Sequence, residues 1–184
     1  MKQAVVKKGK VIAQNVATPN VSKGSILIKV HYSCISAGTE MTSVNTTKKS
    51  LVKRALDSPD EVKEVLDFVK VNGIQKTIQK VRGVIDGGKQ TGYSVAGEVI
   101  AIGKDITNFQ VGDKVAAAGA GIANHAEYVD VPTNLVMKMP NELDYKFAST
   151  VTMGGIAMQG VRRADLRFGE SCVVVGAGIL GLLA

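Results

Sequence analysis

Apolar residues along this chain follow two rhythms, and the switches between them mark four blocks. In residues 2–37 they alternate or run in short stretches, Lys2-Gln3-Ala4-Val5-Val6 and Ser25-Ile26-Leu27-Ile28-Lys29-Val30-His31-Tyr32. The turn-rich segment Pro19-Asn20-Val21-Ser22-Lys23-Gly24 separates them, which predicts strand, turn and strand. Residues 47–86 switch to helical spacing. Ser58-Pro59-Asp60-Glu61 supplies an N-cap, a proline at the first helical position and a glutamate three after the cap. Val62, Val65, Leu66 and Val69 then fall at i, i+3, i+4 and i+7, one apolar stripe that Asn72-Gly73 ends. Ile74, Ile78 and Val81 start a second helix. Residues 92–137 return to strands, with Val95–Gly103, a tight turn at Val111-Gly112-Asp113 entering a strand, and His125–Val131 stopped by Pro132. From Asp144 to Arg163 the spacing is helical, with a break expected at Gly154-Gly155. The block grammar is that of a mainly β (α+β) protein with a helical insertion of about 47–86.

Composition adds exclusions. Apolar residues make up 45%, enough for a packed core. No apolar run approaches the roughly 18–20 residues that cross a bilayer, and the N-terminus carries no leader-like region. The expectation is a cytoplasmic protein with no membrane partner. Two cysteines, Cys34 and Cys172, lie far apart in apolar stretches and are expected as buried free thiols. The net charge of +7 raises the question of nucleic acid. Much of that excess lies in residues 47–89, where lysines alternate with acids at helical spacing. A solvated helical face accounts for it, and no nucleic-acid partner is expected.

The chemistry-bearing motif comes last. Ser171-Cys172-Val173-Val174-Val175 runs into Gly176-Ala177-Gly178-Ile179-Leu180-Gly181. An apolar strand entering G-x-G-x-x-G opens a dinucleotide-binding βαβ unit. Gly176 permits the tight turn, Gly178 lets backbone amides reach a pyrophosphate, and Gly181 lets the helix close on the strand. The acidic residue about twenty positions further on, which would hold a ribose, lies beyond the sequence. Residues 1–184 alone are therefore not expected to bind a dinucleotide measurably, and the tail is expected to leave apolar surface uncovered.

Four further stretches carry a family resemblance: Ser36-Ala37-Gly38-Thr39-Glu40, Gly92-Tyr93-Ser94-Val95-Ala96-Gly97-Glu98-Val99, Phe109-Gln110-Val111-Gly112-Asp113-Lys114-Val115 and His125-Ala126-Glu127-Tyr128. With Val175-Gly176-Ala177-Gly178 after them, their order resembles the zinc-type alcohol dehydrogenase-like, medium-chain dehydrogenase/reductase family. The resemblance implies a GroES-like, partly open β-barrel as substrate domain over 1–168. The first strand and helix start of a Rossmann domain would follow over 169–184. The insertion between Glu40 and Gly92 narrows the likeness to a subgroup often fused to an inositol-dehydrogenase/glucose–fructose oxidoreductase-type domain, in sugar and surface-polysaccharide metabolism.

Zinc-dependent members of that family hold a metal on three protein ligands. This sequence has Ala37 where the first, a cysteine, would stand. It has Tyr93, followed by Ser94, where the family has His-Glu. Between Asp144 and Asp165, the stretch of the third ligand, there is no Cys, Asp or Glu. A methyl, a phenol and a hydroxyl do not replace thiolate or imidazole. His31 and Cys34, three apart in an expected strand, point to opposite faces. No zinc is expected.

Hydrogen-bond donors would then polarise the substrate oxygen while hydride moves to or from NAD or NADP. Tyr93 is the first candidate donor, set against simple packing in the barrel. Thr39 and Ser36 are candidates for lining the cleft, and Glu40 for orienting neighbours. His125 is expected at a strand start, hydrogen-bonded, as the weaker candidate acid. The resulting expectation is the substrate-side domain of a zinc-independent NAD(P)-dependent oxidoreductase acting on an alcohol or carbonyl small molecule, in a sugar or nucleotide-sugar setting. A homo-oligomer is expected at full length. Two alternatives stand: a non-catalytic scaffolding or ligand-binding domain, and a zinc-free quinone or enoyl reductase.

Overall fold

The computed structural model describes residues 1–7, 9–48, 69, 73 and 87–184. Among these the chain forms β1 (Lys2–Lys7), β2 (Lys10–Asn15), β3 (Ser25–Ser33), α1 (Ala37–Lys48), β4 (Lys89–Gln90), β5 (Ser94–Ile102), β6 (Lys114–Ala118) and β7 (Tyr128–Pro132). A 3-10 turn at Thr133–Leu135, β8 (Val136–Lys138), α2 (Tyr145–Ala148), α3 (Val151–Arg163) and α4 (Ile179–Leu183) complete it. No described helix is long and apolar enough to cross a membrane. Two compact units divide these elements. The first takes Met1–Gln3, Asn15–Ser36 and Gly92–Ala184, and the second takes Ala4–Gln14 and Ala37–Thr91.

The first unit is built on an antiparallel sheet in the order β7-β3-β5-β6-β8. Side chains alternate across a strand, so every second residue shares a face. Ile26 pairs with Val131 and Ile28 with Val129 across β3 and β7, and Val95 pairs with Ala117 across β5 and β6. These residues, with Val99, Val115, Phe109 and Ala123, are the core. The register of β3 against β5 shifts between Leu27 and Ile28 and again between Val30 and Tyr32. Such irregularities bend a sheet and increase its twist, and this one curls into a half-barrel. Gly97 lies where β5 approaches β3 closely: a Cβ there would run into the Lys29 carbonyl.

The opposite face carries small residues. Ala96 and Ala116 leave room for α2, which buries Ala148 against them beside Met139. Helix α3 packs against β5 and β6, and within α3 Met153 and Ala157 are buried. In the second unit, the sheet β2-β1-β4 pairs Val5 with Gln90 and Val6 with Lys89, and Val5 and Val6 are buried.

Several expectations need correction. The helical region begins at Ala37, ten residues before residue 47. The Ser58–Glu61 cap, the stripe at Val62, Val65 and Leu66, and the helix from Ile74 lie outside the described residues. Of that stretch only Val69 and Gly73 are described: Gly73 has φ +81° and donates its N–H to the Val69 carbonyl at 2.8 Å. Helix α3 runs straight through Gly154-Gly155, and the break falls at Ser149-Thr150 instead. There the Ser149 and Thr150 hydroxyls turn back onto the Lys146 and Phe147 carbonyls, at 2.8 Å each, and close α2.

The largest difference is at the end of the chain. Val173, Val174 and Val175 are exposed and form no strand. A strand is held by its neighbour's backbone groups, and no described strand lies beside this segment to supply them. The thiols also differ from expectation: neither is in a disulfide, but Cys34 is half-buried, just past the end of β3, and Cys172 is exposed.

Candidate functional site

Chemistry-bearing residues of the first unit gather where β3 ends and β5 begins. Gly92 precedes β5 with φ +93°, a conformation that favours glycine. A Cβ at Gly92 would also sit 2.6 Å from the His125 nitrogen and 2.8 Å from its ring carbon Cγ. The His125 ring therefore packs directly on the Gly92 backbone. Its Nδ1 lies 2.8 Å from the Ser33 hydroxyl. His125 is thus half-buried and hydrogen-bonded just before β7, in keeping with the sequence expectation.

Tyr93 follows Gly92 and is half-buried. Its carbonyl accepts two hydrogen bonds, from the Gly119 N–H at 3.0 Å and from the Thr152 hydroxyl at 3.0 Å. Ser94 is fully buried, donates to the Ser149 carbonyl at 2.6 Å, and accepts from the Thr152 N–H at 3.2 Å. The Ser94 carbonyl accepts from the Cys34 N–H at 3.0 Å. The backbone of Tyr93-Ser94 is consequently held on three sides, by β3's end, the Gly119 turn and α3.

The other candidates fall in different places. Ser36 belongs to the first unit with Tyr93, whereas Thr39 and Glu40 belong to the second. Both lie in the first turn of α1, where a carboxylate interacts favourably with the helix dipole. Glu40 accepts a hydrogen bond from the buried Thr91 hydroxyl at 3.2 Å.

The glycines of the C-terminal motif lie at a turn that leads into α4. Gly176 has φ +102°, Gly178 is extended and precedes α4, and Gly178's carbonyl accepts the Leu182 N–H at 2.9 Å. A Cβ on Gly181 would collide with the Gly176 carbonyl. The chain therefore turns tightly from an extended segment into a helix, a shape that fits close approach of a pyrophosphate to backbone amides.

His31 is exposed and stacks on Tyr145, with ring centroids 4.6 Å apart and planes 15° apart. Lys114 Nζ stands 5.7 Å over the same Tyr145 ring. Burial, with the nearby Glu98 charge adding to it, pushes the Tyr145 phenol above its ordinary range. Among the described residues no three His, Cys, Asp or Glu side chains gather in a group able to hold a metal ion. Sequence reasoning missed Thr152, Ser149 and Gly119, whose contacts with Tyr93 and Ser94 span dozens of residues and leave no local signal.

Residues 61–141 match the alcohol dehydrogenase GroES-like domain. With the curled antiparallel sheet, that match gives the fold class: a mostly β half-barrel consistent with an alcohol dehydrogenase GroES-like domain. It is 30% identical over 116 residues to the (R,R)-butanediol dehydrogenase of Bacillus subtilis (strain 168), a stretch covering 50% of this chain and 33% of that protein. It is 36% identical over 104 residues to the D-guloside 3-dehydrogenase of Escherichia coli (strain K12), covering 56% of this chain and 29% of that one. The solved quinone oxidoreductase of Coxiella burnetii shares the fold, with TM-score 0.65 and 22% identity over 92% of this chain and 47% of that one. The matched stretches thus span about a third of the curated relatives' length and about half of the solved structure's.

Proposed function

We infer that the chain is the substrate-side domain of a zinc-independent NAD(P)-dependent oxidoreductase that interconverts an alcohol and a carbonyl. The observation that carries this reading is the setting of Tyr93. Its main chain is fixed by hydrogen bonds from Gly119 and Thr152. Among the described residues, no hydrogen bond is made to its phenol oxygen. A preorganised donor is what stabilises charge developing on a substrate oxygen.

The donor set supports the zinc-independent part of the reading. Alanine, tyrosine and serine at 37, 93 and 94 offer a metal neither thiolate nor imidazole. When bound, the nicotinamide cofactor supplies or accepts the hydride. The turn at Gly176, Gly178 and Gly181 is suited to its phosphates. Ser36, in the same unit as Tyr93, is assigned to the lining of the substrate side. The similar butanediol and guloside dehydrogenases favour a polyol or sugar-like substrate.

The test uses the full-length protein with NAD and NADP against polyols, sugars and aldehydes. Tyr93→Phe removes only the hydroxyl, and turnover is expected to fall at least about tenfold. Turnover unchanged in Tyr93→Phe would end the role assigned to the phenol. Reduction of quinones or enoyl compounds alone would point instead to the reductase alternative. Inactivity on every class would point to a scaffolding domain.

A further inference from the structure

We propose that Thr152 and Ser94 are positioning residues, a pair of hydroxyls that fastens Tyr93 to helix α3 and keeps its phenol aimed during turnover. The inference rests on the reading of Tyr93 as the polarising donor, and it assigns the residues that make that donor rigid.

The first turn of a helix has N–H groups with no partner inside the helix, and a local side chain ordinarily takes one of them. In α3 the local position fails to do so. Thr150 stands there, but its hydroxyl is turned back to the Phe147 carbonyl at 2.8 Å and makes no cap bond. Ser94, 58 residues away in sequence, takes its place by accepting the Thr152 N–H at 3.2 Å. The same hydroxyl donates at 2.6 Å to the Ser149 carbonyl, at the close of α2. One buried serine on β5 thus satisfies both sides of the α2–α3 break.

Thr152 returns the link. Its hydroxyl donates to the Tyr93 carbonyl at 3.0 Å, and the Gly119 N–H fills that oxygen's second acceptor position at 3.0 Å. Met153 and Ala157 bury the adjoining turns of α3, so the helix end that carries Thr152 is itself anchored. Rotation of the Tyr93 peptide would break two hydrogen bonds at once. A side chain whose main chain is held in this way loses less freedom on meeting substrate, which favours a near-attack geometry.

The test compares Thr152→Val, Thr152→Ser and Tyr93→Phe singly, and Thr152→Val with Tyr93→Phe together, in the full-length protein with cofactor and the best substrate found. Thr152→Val keeps the shape and removes the donor. It is expected to lower kcat about tenfold with KM for the dinucleotide unchanged, while Thr152→Ser restores kcat to within about twofold. In the Tyr93→Phe background, Thr152→Val is expected to have no further effect on kcat, because the group it positions is gone. Thr152→Ala removes the same hydroxyl and serves if Thr152→Val does not fold. Unchanged kcat in Thr152→Val, with Tyr93→Phe impaired, would overturn the positioning role alone. An equal loss in both backgrounds would overturn it too, because it would mark a general structural effect. Unimpaired Tyr93→Phe would remove the donor reading and this inference with it.

Discussion

The Ser94 hydroxyl donates to the carbonyl of Ser149 at 2.6 Å, and both residues are buried. This bond joins the first residue of β5 to the junction of α2 and α3, across 55 positions of sequence. Removing one partner of a buried hydrogen bond leaves the other without water or protein to satisfy it. Ser94→Ala is therefore expected to cost about 1–3 kcal/mol of unfolding free energy, read as a lower denaturant midpoint with unchanged slope. A midpoint equal to that of the wild type would mean that the Ser149 carbonyl finds another donor.

Gly92 and Gly112 offer a controlled comparison. Their φ values are nearly equal, +93° and +92°, so a side chain at either position is strained by a left-handed backbone. At Gly112 a Cβ would meet nothing within 4 Å, whereas at Gly92 it would sit 2.6 Å from the His125 nitrogen. Gly112→Ala should lose about 1–3 kcal/mol from conformation alone. Gly92→Ala should lose measurably more and should disturb the His125–Ser33 bond. Equal losses in thermal or denaturant unfolding would contradict the close packing of His125 on Gly92.

Asp113 closes the turn that enters β6. Its carboxylate accepts the Gln110 N–H at 2.9 Å and pairs with Lys138 Nζ at 2.8 Å. The hydrogen bond from Lys138 holds the carboxyl below the usual carboxylate range. Burial opposes that shift, and the Gln110 N–H and the ammonium charge reinforce it. A carboxyl depressed in the fold adds stability that is fully present above its unfolded-state pKa. That contribution is lost as pH falls from the unfolded value through the folded one. The wild type should lose this component on acidification below the usual carboxylate range, and Asp113→Asn should lack it. Parallel stability profiles for the two proteins in that window would contradict the assignment.

The barrel strands were legible because their signal is local. Ile26 and Ile28, Val95 and Val99, and Val129 and Val131 repeat with period two and turn to one core. The turn at Gly112-Asp113 was legible for the same reason. Where the reading failed, a distant or competing interaction decided the outcome. Gly154-Gly155 weakens a helix by about 1 kcal/mol per glycine, and the burial of Met153 and Ala157 outweighs that cost. The expected break moved to Ser149-Thr150, whose hydroxyls compete for the α2 carbonyls. Val173–Val175 have strand-forming side chains, yet a strand also needs a neighbour, which a local pattern does not reveal. At the candidate site, the resemblance singled out Tyr93 as a candidate donor, but the groups that hold its main chain come from α3 and the Gly119 turn.

Under the proposed reading, a hydrogen-bond donor rather than a metal polarises the substrate in the full-length protein. The most direct test is nicotinamide reduction by the full-length protein after exhaustive chelation, with metal content measured on the same sample. Metal-free protein is expected to turn over undiminished, with no gain on adding zinc and a loss of about tenfold in Tyr93→Phe under the same conditions. Activity that vanishes with the chelator and returns with stoichiometric zinc would contradict it.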